Sequence, residues 1–302
     1  MSRDGLIVVD KPGGMTSHDV VARIRRIAGT RRVGHGGTLD PMATGVLVIG
    51  VERATRLLTY LVGADKSYTA TVRLGATTVT DDAEGEVTAW TSPSGLTEAA
   101  VRKAAAGFVG EIDQVPSAVS AIKVGGVRSY ARARRGEAVA LAPRRVRISR
   151  LDVVATRAGT AEGHEVFDVD IEVDCSSGTY VRAIARDLGA VLGVGGHLIA
   201  LRRTAVGSFT LAEAVTLEEL AQRPEPVSIP LATAVARCLP RRDVDAALAR
   251  TLSHGGTLPA AGIAGPYGVF APDGRVVGIV SERSGRARAE VVLAPAEASE
   301  GS

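Results

Sequence analysis

Residues 165–175, EVFDVDIEVDC, alternate strictly, with Phe167, Val169, Ile171, Val173 and Cys175 set against Asp168, Asp170, Glu172 and Asp174. A period of two belongs to a strand with one apolar and one polar face, so a half-buried strand is predicted here with its acids toward water. It runs into SSGTYVRAIARDLG, where Val181, Ile184, Ala185 and Leu188 recur at helical spacing and Gly189 is the expected stop. The N-terminal part has the same two textures. A short apolar strand at 6–9 leads through a Gly- and Pro-rich turn, residues 12–14, to a helix. Val20, Val21, Ile24 and Ile27 share one face of that helix; Ser17 is its predicted N-cap and Gly29 its stop. Further strands are predicted at 46–49 and 67–75, helices at 54–61 and 96–106, and a polar turn over TTVTDDAEGEV.

Beyond Val215 the texture changes. Pro224, Pro226, Pro230 and Pro240 mark a connection, and short strands around turns such as Asp273-Gly274 then predict a small all-β module from about residue 245. The final stretch, APAEASEGS, reads as disordered.

Composition narrows the class. The 302 residues are 45% hydrophobic and 23% charged, as in a globular protein, and no apolar run is long enough to span a bilayer. The N-terminus carries no signal-peptide pattern. Cys175 and Cys238 form neither a CxxC pair nor a metal spacing, which fits reduced thiols in a cytosolic protein. Net charge is only +3, but residues 128–150 hold eight arginines against one acid, Glu137. Arg23, Arg25, Arg26, Arg31 and Arg32 form a second cluster. Guanidinium forks suit phosphate oxygens, so an anionic partner is expected at 128–150; a solvated face of salt bridges is the alternative.

The candidate chemistry centres on GHGGTLDPMATG, residues 34–45, where four glycines surround one carboxylate, Asp40, followed by Pro41. Proline fixes its own φ and biases the residue before it, so mobile flanks around a pinned Leu39-Asp40-Pro41 corner are expected. Alone, an Asp-Pro after a turn is more often a cap or corner than a nucleophile. A second oddity supports chemistry. Arg182 lies in the first turn of its helix, where the macrodipole disfavours a cation, so either a carboxylate arrives from elsewhere in the fold or the side chain snorkels to the surface. Lys11 to Ser17 evokes a phosphate loop but lacks the GK[ST] ending, which argues against a nucleotide site.

Five segments in order, DKPGGMTSHDVV, VGHGGTLDPMATGVLVIG, DKSYTATVRLG, PSAVSAIKVGGVRSY and CSSGTYVRAIARDLG, resemble the bacterial TruB family of tRNA pseudouridine synthases over residues 5–215. The resemblance implies an α+β fold: a mixed, largely antiparallel sheet flanked by helices, with a small all-β C-terminal module of the PUA type. It implies a catalytic part at 1–235, with an RNA-contacting insertion at about 115–150, and an RNA-binding module at 245–302. The implied activity is isomerisation of uridine 55 in the tRNA T-loop to pseudouridine, by a stand-alone, monomeric, cytoplasmic enzyme without metal, nucleotide or other cofactor. Asp40 then matches the catalytic aspartate, Arg182 the arginine that pairs with it, and Tyr180 its companion in the Tyr-x-Arg motif. Tyr68 matches the tyrosine that stacks on the target base, Leu201 a pocket leucine, His35 a histidine that helps displace T-loop bases, and Lys11 a lysine supporting the loop.

The chemistry agrees with these types. Breaking a glycosidic bond calls for a carboxylate at the base–sugar junction, attacking C1′ or adding to C6, and a flipped base needs a stacking platform. The main alternative is a non-catalytic tRNA-binding or RNA-folding protein, which would keep the arginines without needing Asp40.

Overall fold

A computed structural model of the chain describes residues 4–117, 123–124, 127–128 and 141–295. Much of the insertion expected at 115–150, including Arg132, Arg134 and Arg135, lies outside the described residues, as does the C-terminal stretch 296–302.

In chain order the elements are β1 (Gly5–Lys11), α1 (Ser17–Ala28), β2 (Val33–His35), β3 (Thr44–Val51), α2 (Leu58–Val62), β4 (Lys66–Leu74), β5 (Ala76–Thr78) and β6 (Val87–Trp90). They continue with α3 (Glu98–Ala106), β7 (Gly110–Gln114), β8 (Lys123–Val124), β9 (Val127–Arg128), β10 (Arg144–Ala161), β11 (His164–Cys175), α4 (Val181–Val191) and β12 (Gly196–Val206). One large sheet runs from Ile229–Pro230 through β1, β3, β12, β4, β11 and β10 to β7, with β2 also paired to β3. Among its named strands β12 and β3 pair parallel and the other pairs are antiparallel, so the sheet is mixed and largely antiparallel.

Burial on both faces explains the continuous apolar runs of β1 and β3. Ile7, Val9, Leu47 and Ile49 join the helix-covered core with Val20 and Ile24 of α1, Val101 of α3, and Ile184 and Leu188 of α4. Their neighbours Leu6, Val8, Val46 and Val48 face the other way, into a second core with Leu57, Leu61, Val235, Phe270, Ile279 and Leu293. That second core is shared with the C-terminal part. There Arg241–Asp243, Tyr267–Phe270, Val276–Arg283, Arg286–Val292 and Leu258–Pro259 form a five-stranded sheet, accompanied by the helix Ala246–Ser253. Polar ties cross the same seam: Arg53 Nη1 donates to the Leu293 carbonyl at 2.7 Å and the Tyr60 hydroxyl to Glu290 at 2.6 Å.

Several expectations need correction. The N-cap of α1 is Thr16, not Ser17; Thr16 forms a capping box with Asp19 while the Ser17 hydroxyl turns inward. Gly189 does not end α4, which runs to Val191. A Cβ at 189 would sit 2.2 Å from the Gly195 carbonyl carbon, so the glycine permits close approach of the following loop. The turn expected over 77–87 is the tip of a hairpin, β5 with β6. The acids of β11 do not simply face water: Asp168 binds Arg73 at 2.8 Å, Asp170 accepts from Thr71 at 2.7 Å, and Asp174 accepts from Arg150 at 2.7 Å.

Candidate active site

Asp40 sits in the connection between β2 and β3, whose two ends are held by antiparallel pairing. The residues flanking it are held from below. The buried Ser17 hydroxyl donates to the Leu39 carbonyl at 3.1 Å and accepts from the Leu39 amide at 2.9 Å. The fully buried Lys11 ammonium donates to the carbonyls of Pro12 at 2.8 Å, Met15 at 2.6 Å and Pro41 at 3.2 Å. Burial lowers the Lys11 pKa to about 8, against the opposing pull of Asp40. The glycine-rich flank is packed rather than loose: Gly45 has φ 99°, and a Cβ there would lie 2.2 Å from the Arg203 carbonyl oxygen. The Asp40 corner is therefore clamped by its surroundings as well as by Pro41.

The first-turn arginine has its carboxylate, and a second one. Arg182 Nε stands 3.1 Å from Asp40 and Nη1 stands 3.2 Å from Asp82. Nη1 also donates to the Thr80 carbonyl at 2.9 Å. The Arg182 side chain is 5% exposed, Asp82 3% and Asp40 36%, so only the Asp40 end of this chain of charges reaches the open. Close pairing with two carboxylates outweighs the fractional positive charge at the N-terminus of α4. The entry to α4 is fixed separately: Gln114 accepts from the Tyr180 amide at 2.8 Å and donates to the Tyr180 carbonyl at 3.1 Å.

Asp40 and Arg182 border a cavity of about 270 Å³, also lined by Tyr68, Tyr180, Leu201, Lys66 and Arg203. Small-molecule sites span about 300–1,000 Å³, so this one suits a single nucleoside rather than a longer segment. Sheet geometry assembles it. Tyr68 of β4 pairs with Arg203 of β12 and Ala70 with Leu201, which places Tyr68, Leu201 and Arg203 on one face. Burial raises the Tyr68 pKa, keeping the phenol protonated. Burial, with Arg203 nearby, lowers the Lys66 pKa to about 8. Its ammonium donates to the carbonyls of Val62 at 2.9 Å and Ala64 at 2.6 Å.

Of the seven residues singled out from sequence, Asp40, Tyr68, Tyr180, Arg182 and Leu201 line this cavity. Lys11 lies beneath the loop and His35 on β2, outside the lining. His35 meets His18 edge-on with ring centroids 5.3 Å apart, and its buried Nδ1 has no hydrogen-bond partner among the described residues. Burial, followed by the proximity of His18, lowers its pKa.

Sequence reading missed Asp82, Lys66 and Arg203. Asp82 was hidden in the acidic turn TDDAEG, where adjacent acids read as solvated. Arg203 left a usable signal: Leu201 and Arg203 share a strand face, so an arginine stands where alternation calls for an apolar residue. Three of the arginines of 128–150 also have acids nearby. Arg145 lies 3.2 Å from Glu111, Arg147 3.4 Å from Asp65, and Arg150 2.8 Å from Glu172, because neighbouring strands bring acids absent from the local sequence.

Comparison with known proteins gives one consistent pattern. The model of the TruB family pseudouridylate synthase N-terminal domain matches residues 25–181. Those of the tRNA pseudouridylate synthase B C-terminal domain and of the tRNA pseudouridine synthase II C-terminal region match 182–228 and 239–294. The tRNA pseudouridine synthase B of Mycobacteroides abscessus is 56% identical over 296 residues, covering 98% of each chain. That of Arthrobacter sp. is 55% identical over 300 residues, covering 96% of this chain and 97% of the other. Among solved structures, a Cbf5-Nop10-Gar1 complex has a chain 27% identical with a TM-score of 0.72, covering 96% of this chain and 85% of its own.

Proposed function

We propose, from the premise that this chain belongs to the TruB family and forms pseudouridine in tRNA, that its target is uridine 55 of the T-loop and that Asp40 carries the reaction. The observation supporting this most directly is the placing of the single exposed-end carboxylate, Asp40, between buried Arg182 and the mouth of a nucleoside-sized cavity. Pseudouridine formation exchanges a C–N glycosidic bond for a C–C bond at the same sugar carbon. The C5 proton is lost and N1 gains one, so the overall change is neutral and consumes no co-substrate.

In the proposed sequence a T-loop uridine leaves its stack and enters the cavity. Unstacking costs a few kcal/mol, and stacking on Tyr68 returns about 1–3 kcal/mol. Leu201 closes the apolar side. Asp40 acts at C1′ or at C6 of the base, in either case as a carboxylate next to the base–sugar junction. Arg182 holds that carboxylate in place, with Tyr180 at the turn before it. Lys11 supports the loop from beneath. His35, outside the cavity, is assigned to the displacement of neighbouring T-loop bases. The described arginines of 128–150 and the module at 245–302 supply contacts to the tRNA backbone, and the enzyme works in the cytoplasm as a monomer.

The test is position-resolved pseudouridine mapping on an unmodified tRNA transcript. Modification at uridine 55 alone supports the assignment; modification elsewhere in the tRNA, with uridine 55 untouched, removes the T-loop from it.

A further inference from the structure

Among the described residues Arg203 is the largest fully buried side chain, 1% exposed, yet its charge meets no carboxylate within salt-bridge distance there. Burying an ion away from a counter-ion is expensive unless its hydrogens are all satisfied, so this cation is retained against a cost. Its partners are backbone. Nε donates to the Val46 carbonyl at 2.8 Å, Nη1 to Thr38 at 3.3 Å and Nη2 to Gly37 at 3.1 Å. Its cross-strand partner is Tyr68, which pairs with it between β12 and β4. The Arg203 backbone is seated as firmly, since it pairs with Gly45 and its carbonyl fills the space that a Cβ at 45 would take.

These interactions have a common geometry. Gly37 and Thr38 immediately precede Leu39 and Asp40, while Tyr68 is the cross-strand neighbour of Arg203 and lines the same cavity. One residue therefore holds the catalytic loop through its guanidinium while standing opposite Tyr68 in the sheet, and its third anchor, Val46, belongs to the central strand β3. A lysine could keep the charge but not the three-way planar fork. We infer that Arg203 is a positioning residue for pseudouridine formation, fixing the spacing between the Asp40 carboxylate and the Tyr68 ring so that a flipped base enters at reacting distance.

This rests on the reading of Asp40 as the reacting carboxylate. Positioning of this kind acts on the bound state: misplacement of a reacting group by an ångström can cost about a hundredfold in rate. It should therefore appear in kcat and not in KM. A residue serving only stability would lower the folded fraction and leave the turnover of the folded enzyme intact.

The experiment compares Arg203→Gln, Arg203→Lys and Asp40→Asn on an unmodified tRNA transcript, with turnover normalised to folded, tRNA-binding enzyme, and with amide exchange over residues 36–40. The Gln variant is expected to lose about a hundredfold in kcat with KM within about threefold. The Lys variant should recover at most about a tenth of the lost rate, because the fork rather than the charge is needed. Amides of 36–40 should exchange faster in both, with those of β1 and β3 unchanged. Normalised kcat within threefold of wild type in either variant overturns the inference, as does failure of both to fold, which would assign Arg203 to core stability. If Asp40→Asn is itself fully active, the reading of the site fails instead, and the two failures are distinguished.

Discussion

The Ser17 hydroxyl holds both backbone groups of Leu39, accepting from its amide at 2.9 Å and donating to its carbonyl at 3.1 Å. The residue next to Asp40 is thereby fastened to the first turn of α1. Ser17→Ala leaves a buried amide and carbonyl unpaired, at about 1–3 kcal/mol. Denaturant unfolding should show that loss, and turnover should fall with it. Unchanged stability would mean that Leu39 finds other partners.

Asp82 shares Arg182 with Asp40. Asp82→Asn removes one charged acceptor from the guanidinium, worth about 1.5–3 kcal/mol. If this is expressed in the transition state, kcat falls by about 10- to 100-fold with KM nearly constant. A change confined to KM would place Asp82 in substrate binding instead.

Lys11 and Lys66 both have pKa values lowered to about 8 from 10.5, and two opposite pH trends result. Between those values the unfolded chain binds more protons than the folded one, so stability from these groups rises as pH climbs from about 8 to 10.5. The burial cost is fully present below 8. Relative to Lys66→Met, the wild-type protein should therefore gain stability with pH in thermal melts. Turnover should move the other way, because neutral Lys11 cannot donate to three carbonyls at once and the Pro41 side of the loop loosens. A kcat flat from pH 7 to 9.5 would contradict the second trend.

Neutralising Arg144, Arg145 and Arg147 together should weaken tRNA binding and reduce the salt slope by about one for each phosphate that is no longer neutralised. Arg145 and Arg147 already pair with Glu111 and Asp65, so part of their charge is committed within the protein. An unaltered slope would remove this strand from the RNA footprint.

Truncation after Leu239 removes Phe270, Ile279 and Leu293 from the core that covers Leu6, Val8, Val46 and Val48. The shortened chain should aggregate or melt well below the full chain. A soluble product with the original melting temperature would show that the second core is dispensable.

Strands β1, β3, β4 and β11 were legible in the sequence for local reasons, whereas β10 and β12 were not, and the pairing of Asp40 with Arg182 came from the family resemblance. The alternation of β11 and the apolar stripe of α4 are periodic, and an arginine in a first helical turn is a local anomaly that left a distant carboxylate and a surface position equally open. What could not be read depended on neighbours far along the chain. Ser17 resembles a cap until Leu39 is seen to take its hydroxyl, and Gly189 resembles a stop until the loop at Gly195 packs against it. Asp82 shows its value only when the β5–β6 hairpin folds over Arg182, and the acids that meet Arg145 and Arg150 arrive by strand register.

The most direct measurement is a single-turnover assay on unmodified tRNA with the wild-type chain and Asp40→Asn at equal tRNA occupancy. Pseudouridine from the wild type and none from Asp40→Asn is the expected result. Equal product from both would contradict the assignment of the reaction to Asp40.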